Sequence, residues 1–124
     1  MTTDWVRRYC LSLPHVTEHV QWEIDLVFKI GGKMFATVVL EPYTHCMSLK
    51  CSPEMFAELV ERPGIVPAPY LARASWVALE SQDALSRAEL ERLLREAYDL
   101  VFARLPKKTL EELRKPAKTK RRAR

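Results

Sequence analysis

Residues 25–40 read DLVFKIGGKMFATVVL, and this stretch decides the fold because it joins two strand-like runs through a pair of glycines. Apolar side chains at every second position of Asp25–Ile30 predict a strand with one buried face, and a second run covers Lys33–Leu40. Gly31 and Gly32 can both adopt positive φ, which a two-residue type I′ turn requires. The sequence therefore predicts a tight β-hairpin.

Further elements extend from this hairpin in both directions. The predicted elements are a first helix closed by Pro14, a polar connector before Asp25, a third strand from about Thr44 to Lys50 after a turn around Pro42, a helix opened by Ser52-Pro53, an extended loop from Pro63 to Tyr70, and a fourth strand over Ser75–Leu79. Together the strands form an antiparallel meander.

Two capping boxes mark helices near the C-terminus. Ser86-Arg87-Ala88-Glu89 opens the longest helix, whose apolar face needs a sheet to lie on. Thr109–Glu112 is a second capping box, on a short helix ended by Pro116. We therefore expect one domain over residues 1–108, a terminal helix over 109–115 and a disordered basic tail over 116–124.

This order of elements predicts an α+β fold: a small antiparallel meander sheet with the N-terminal and C-terminal helices packed on one face. The chain has 124 residues, of which 48% are hydrophobic and 29% charged, as is typical of a globular domain. The N-terminus lacks the continuous apolar run of a signal peptide, and no apolar run could span a bilayer. We expect a cytoplasmic protein without membrane partners.

Positive charge is concentrated at the C-terminal end. Residues 107–124 hold nine basic and two acidic residues, a net charge of +7, while residues 1–106 hold 11 basic and 14 acidic residues, a net charge of −3. Such a block could be a solubilising tail, could contact phosphates by counterion release, or could bind acidic proteins.

The residues that carry most enzyme chemistry are missing or poorly spaced. Three glycines are too few for a P-loop or a dinucleotide fingerprint, and three cysteines without paired spacing argue against disulfides and zinc ribbons. His15 and His19 fall in a connector, and His45 and Cys46 point to opposite faces of a strand. We predict no catalytic residues, no metal and no cofactor.

Lysines that interrupt apolar strand runs are more informative. They are Lys29, Lys33 and Lys50. They could form a solvated outer face, or a cationic face beside Trp22, Tyr70 and Trp76 on which bases stack or a ligand is capped. Alternation leaves two orientations for Trp76, into the core or onto the open face.

The hairpin segment Val27–Ala36 resembles the MmcQ/YjbR family, small bacterial proteins labelled DNA-binding and of CyaY-like fold. Further similarity covers Arg8–Pro14, Leu49-Lys50, Val66–Tyr70, Trp76, Ala97-Tyr98 and Leu105–Lys108, so that the match runs from about residue 4 to residue 108. The chain departs from the family pattern at His15, Ser75 and Ala97, where many members have Gly, His and Ser. The resemblance implies the same α+β fold, and DNA binding.

The leading functional hypothesis is a non-enzymatic nucleic-acid-binding protein. In it Lys33, Lys50 and Arg73 contact phosphates, and Tyr70 and Trp76 offer stacking surface. The tail cations supply nonspecific affinity; they include Lys118, Lys120, Arg121, Arg122 and Arg124. The alternatives are a small-molecule-binding or drug-sequestering module, with Trp76 and Tyr70 walling an apolar pocket, and a protein-interaction domain.

Overall fold

The computed structural model describes residues 3–22, 24–40 and 45–114, which form four helices and one six-stranded antiparallel sheet. The elements are α1 (Thr3–Ser12), β1 (Val16–Gln21), β2 (Asp25–Ile30), β3 (Lys33–Val39), β4 (Met47–Lys50), α2 (Pro53–Leu59), β5 (Ile65–Pro67), β6 (Trp76–Leu79), α3 (Arg87–Ala103) and α4 (Lys107–Arg114). Short 3₁₀ helices lie at Ala72–Ala74 and Gln82–Ala84. The predicted α+β fold class is confirmed.

The predicted hairpin is present between β2 and β3. Gly31 has φ 61° and Gly32 has φ 83°, and Ile30 pairs with Lys33 across the turn. A register shift between Phe28 and Lys29 marks an irregularity in the ladder. The hairpin thus forms as its sequence predicts, with a local bulge that the alternation does not reveal.

The expectation of a polar connector before Asp25 is wrong, because this segment contains β1. The strand order is β1-β2-β3-β4-β6-β5, so β1 is an edge strand, and it pairs with β2 from Val16 opposite Ile30 to Gln21 opposite Asp25. None of its residues is fully buried. Because an edge strand is partly exposed to solvent, it needs few apolar residues. The polar sequence of β1 therefore resembles that of a loop.

The expectation of an irregular loop from Pro63 to Tyr70 is also wrong. Ile65–Pro67 forms β5 and pairs with β6, with Pro67 opposite Val77. Proline is tolerated here because β5 is the other edge of the sheet, where one side of the strand makes no ladder bonds. The third and fourth strands are shorter than predicted, since β4 begins at Met47 and β6 at Trp76, and Pro42 and Thr44 lie outside the described residues.

The main core lies between the sheet and the helices. The apolar face of α3 contributes Leu90, Leu93, Leu94, Ala97, Tyr98 and Val101, and side chains of α1 and α2 join the same cluster. Ser86 caps α3 in a complete capping box with Glu89, as predicted. Tyr98 Oη donates a hydrogen bond of 2.8 Å to the Pro14 carbonyl and so joins α3 to the end of α1.

The terminal helix α4 begins earlier than expected. It starts at Lys107, so Thr109 lies inside the helix and is not its N-cap. A Cβ at Gly31 would lie 2.7 Å from Leu105 Cδ1 and 3.0 Å from Thr109 Cγ2, so the α3–α4 junction rests directly on the hairpin turn. None of the helices in the described ranges is both long and apolar enough to cross a bilayer.

Candidate functional site

A shallow pocket, open to solvent, lies at one end of the sheet beside the hairpin turn. Its volume is about 340 Å³. The lining side chains are Lys33, Met34, Lys50, Trp76, Val101 and Arg104. Three of the six are cations and three are apolar, and no carboxylate contributes to the lining.

Strand direction explains why the two lysines meet. Lys33 is the first residue of β3 and Lys50 is the last residue of β4. Because the strands are antiparallel neighbours, these positions lie at the same end of the sheet. Val101 and the C-cap residue Arg104 complete the pocket from the end of α3, which is held there by the packing of Leu105 on Gly31.

Trp76 takes neither of the two simple orientations that alternation allows. Val77 and Leu79 face the helices, so Trp76 lies on the opposite face of the sheet, where it is nevertheless only 3% exposed. It forms a second small cluster with Ala68 and Ala78, against which Met34, Val66 and Leu71 pack. This burial leaves little ring surface for a stacked base, and Trp76 contributes to the pocket only with its remaining exposed part.

Lys50 connects the pocket to residues 68–75, the covering segment, whose Ala68 and Leu71 pack against Trp76. Its Nζ donates a hydrogen bond of 2.7 Å to the carbonyl of Ala74, and the Cys51 amide donates one of 2.9 Å to the carbonyl of Ser75. Burial lowers the pKa of Lys50, and the positive charge of Arg104 lowers it further. The pocket therefore brings two cations close together at an electrostatic cost.

The other two predicted site residues lie on this covering segment and do not line the pocket. The side chain of Tyr70 is fully exposed, and Arg73 is exposed within the short 3₁₀ helix. Tyr70 and Ser75 both have positive φ, at 65° and 64°. Such backbone geometry in residues other than glycine costs about 1–3 kcal/mol and is enriched at functional sites.

The tail residues of the functional hypothesis lie outside the described part of the chain. They are Lys118, Lys120, Arg121, Arg122 and Arg124. Their charges are known from the sequence alone.

The thiols are poorly suited to nucleophilic chemistry. Burial raises the pKa of Cys10 and of Cys51 to about 12, and it raises the pKa of Cys46 as well. Among residues 3–22, 24–40 and 45–114, no group of three or more His, Cys, Asp or Glu side chains could hold a metal ion. The strongest concentration of chemically useful side chains that we find is the cationic pocket.

The YjbR family model matches residues 11–100, which is most of the chain and includes most of the pocket. The chain belongs to the YjbR family, also called MmcQ/YjbR. The similarity seen in the hairpin sequence is thereby confirmed. Among curated proteins, no relative matches the chain.

Two of the solved structures that match this chain share its fold. A Deinococcus radiodurans protein with a DUF419 domain is 32% identical, with a TM-score of 0.80, and the match covers 93% of this chain and 89% of that protein. A Pseudomonas syringae protein, a structural genomics target, is 20% identical, with a TM-score of 0.67 and coverage of 81% of this chain and 98% of that protein. The second likeness shows the fold alone.

Sequence reasoning on this YjbR chain found three of the six lining residues and missed the others, namely Met34, Val101 and Arg104. Met34 sits beside Lys33 and packs against the Trp76 cluster on the face of the sheet opposite Phe35. Arg104 follows a helix whose position relative to the sheet is set by the packing of its apolar face and, beyond its end, by Leu105 against Gly31. The one usable signal was the placement of a basic residue directly after the apolar face of α3.

Proposed function

We propose that this YjbR chain is a non-enzymatic nucleic-acid-binding protein that contacts phosphates through one end of its sheet. The observation that carries this proposal is a group of cations without anionic partners, which we call the basic end. It consists of Lys33, Lys50, Arg104, Lys107 and Lys108. The first three line the pocket, and the last two open α4, which rests on the same hairpin turn.

Elsewhere in the described ranges, five of nine cations form ion pairs, and Arg8, Lys29, Arg73 and Arg114 form none with a described residue. Ion pairs engage Arg7, Arg62, Arg87, Arg92 and Arg95 with nearby carboxylates. No residue of the basic end forms an ion pair with any residue that the structure describes. Cations left without counter-charges at one place repel one another, and an anionic ligand such as a phosphate relieves that repulsion.

The exposed Tyr70 and Arg73 supply a second element of the proposed interface. A fully exposed aromatic ring can stack on an unpaired base, which contributes about 1–3 kcal/mol per base, and stacking of this kind tolerates any sequence. Arg73 has no ion pair with a described residue and can contact a phosphate close to that ring. A stacking ring beside phosphate contacts favours single strands over duplexes.

A salt titration tests the proposal. Binding of a fluorescent single-stranded oligonucleotide is measured for the parent chain and for the double variant Lys33→Gln/Arg104→Gln. Each lost phosphate contact lowers the slope of log affinity against log salt by about 0.7, so the double variant should lose about 1.4.

The matched control is Arg92→Gln/Arg95→Gln, which removes the same charge from ion-paired positions on the outside of α3. Its salt slope should stay near that of the parent. Equal losses in both variants would show that only net charge matters, and the proposed interface would then be wrong.

The tail is tested separately. Deleting residues 115–124 removes six positive charges. If the tail supplies nonspecific affinity, binding of both single strands and duplexes should weaken and the salt slope should shrink. An unchanged slope would leave the tail without this role and would confine binding to the basic end.

The shape of the pocket favours a second candidate, the binding of a small anionic molecule. A volume of about 340 Å³ lies at the small end of the range for ligand pockets, and the mixture of apolar walls with a few cations is typical of them. Tight binding of such a molecule by a chain that binds no oligonucleotide at any salt concentration would favour this candidate.

A further inference from the structure

We infer that the pocket binds the terminal phosphate monoester of a nucleic-acid strand, together with the sugar or base that carries it. This inference rests on the proposed nucleic-acid binding and assigns the pocket a narrower role than the rest of the basic end. The argument depends on the charge of the pocket, on its apolar lining, and on how Lys50 is held.

The charge of the pocket matches a monoester better than a diester. Lys33, Lys50 and Arg104 all line it, and no carboxylate does. A backbone phosphodiester carries one negative charge, whereas a monoester carries between about 1.5 and 2 at neutral pH because its second pKa is about 6. Two negative charges compensate the three cations that line the pocket more fully than one does.

The lining of the pocket also suits a chain end. The pocket has a volume of about 340 Å³, and three of its six lining residues are apolar. Its apolar lining, formed by Met34, Trp76 and Val101, can contact the sugar or the edge of the base next to the phosphate.

Lys50 is held ready to donate to an anion. One of its three N–H groups donates to the Ala74 carbonyl at 2.7 Å, which fixes the ammonium and leaves two donors for a ligand. The positive charge of Arg104 nearby opposes the charged form of Lys50. A dianion between these two side chains would remove that repulsion and would be held by charge-assisted hydrogen bonds, which are the stronger kind.

The test compares four forms of one short oligonucleotide with the full chain in a chloride buffer near pH 7.5. The forms carry a 5′-phosphate, a 3′-phosphate, phosphates at both ends, or hydroxyls at both ends. We expect a terminal phosphate at one end to tighten binding about tenfold, equivalent to about 1.4 kcal/mol. The end that gives the effect identifies the polarity of the bound strand.

Two sets of variants locate the effect. Arg104→Gln and Lys33→Gln should each reduce the preference for the phosphorylated strand to about twofold or less. Lys108→Gln, which alters the basic end outside the pocket, should weaken binding of all four forms alike and leave the preference intact. A preference that survives in Arg104→Gln and in Lys33→Gln would overturn the assignment to this pocket.

Equal affinity for all four oligonucleotide forms would overturn the inference and leave the proposed nucleic-acid binding in place. Failure of every form to bind would instead contradict the proposed function itself. A mononucleotide with the same terminal phosphate serves as the last probe. If it binds as tightly as the phosphorylated strand, the ligand is a free nucleotide and the assignment to a strand end is wrong.

Discussion

The arginines of α3 and of its C-cap fall into two groups that differ in their partners. Arg87, Arg92 and Arg95 each lie within 4 Å of a carboxylate one turn further along the helix, at N···O distances of 3.9, 3.9 and 3.2 Å. Arg104, which caps the same helix at its C-terminus, has no carboxylate partner among the described residues and lines the pocket with Lys50.

This difference separates two uses of the same side chain. The paired arginines are compensated within the helix, and exposed pairs of this kind stabilise it by only about 0.2–0.5 kcal/mol each. The position of Arg104 is favourable for the helix dipole but unfavourable for Lys50, whose pKa its charge lowers. The placement of Arg104 beside Lys50 therefore adds an electrostatic cost at the pocket, which a bound anion would relieve.

The largest expected effect would show how much the buried ring of Trp76, beside the pocket, contributes to the stability of the fold. Trp76→Ala should lower the free energy of unfolding by about 3–5 kcal/mol, because the ring is 3% exposed and its removal leaves a cavity. Trp22→Ala is the control, since Trp22 is 65% exposed and its loss should change stability by less than about 0.5 kcal/mol. Urea melts of the two variants measure the difference, and similar midpoints would contradict the packing of the second cluster.

A matched pair of glycine substitutions tests whether close packing of Leu105 on the hairpin turn holds the α3–α4 junction beside the pocket. Gly32→Ala should cost about 1–2 kcal/mol from left-handed strain alone, because no atom lies within 4 Å of the added Cβ. Gly31→Ala should cost at least about 1 kcal/mol more, because the added Cβ would meet Leu105 at 2.7 Å. Thermal unfolding compares them. Equal losses would show that the α3–α4 junction adjusts freely to the turn.

Neutralising one arginine from each group sharpens the comparison directly. Arg92→Gln should lose about 0.2–0.5 kcal/mol of stability with its ion pair. Arg104→Gln should change stability less than this, because it removes both a favourable interaction with the helix dipole and a charge that disfavours protonated Lys50. Urea midpoints measured at low ionic strength report both changes. A greater loss for Arg104→Gln would mean that the interaction of Arg104 with the helix dipole outweighs its repulsion of Lys50.

The smallest expected effect concerns a different ion pair, between Arg62 and Glu89, at acid pH. Hydrogen bonds from Arg62 and from the Ser86 amide lower the pKa of Glu89 to about 2. A carboxyl whose pKa is lowered by folding stabilises the native state above its unfolded pKa, near about 4.3, and loses that contribution as pH falls toward 2. The stability difference between the parent and Glu89→Gln should therefore be constant from pH 7 to pH 5 and shrink below that. A difference that stays constant down to pH 2.5 would show that the ionised carboxylate is not its source.

The sequence by itself determined the elements whose signals are local. Gly31 and Gly32 can both take positive φ, so the hairpin could be assigned from a few letters. The capping box at Ser86 and the apolar face of α3 depend only on spacing along one helix, and both are present as predicted. Lys33 and Lys50 could be singled out because lysine within an apolar strand is unusual.

Only the tertiary structure decided the features that depend on neighbours far away in the chain. Val16–Gln21 and Ile65–Pro67 are strands because a partner strand offers each of them a ladder, although their own sequences favour loops. Trp76 is buried on the face away from the main core because the segment before it packs across the sheet. Arg104 reaches the two lysines because Leu105 packs on Gly31, a contact between residues more than 70 positions apart. Alternation and helical period describe one element at a time, so they could not predict which side chains from different elements would meet in the pocket.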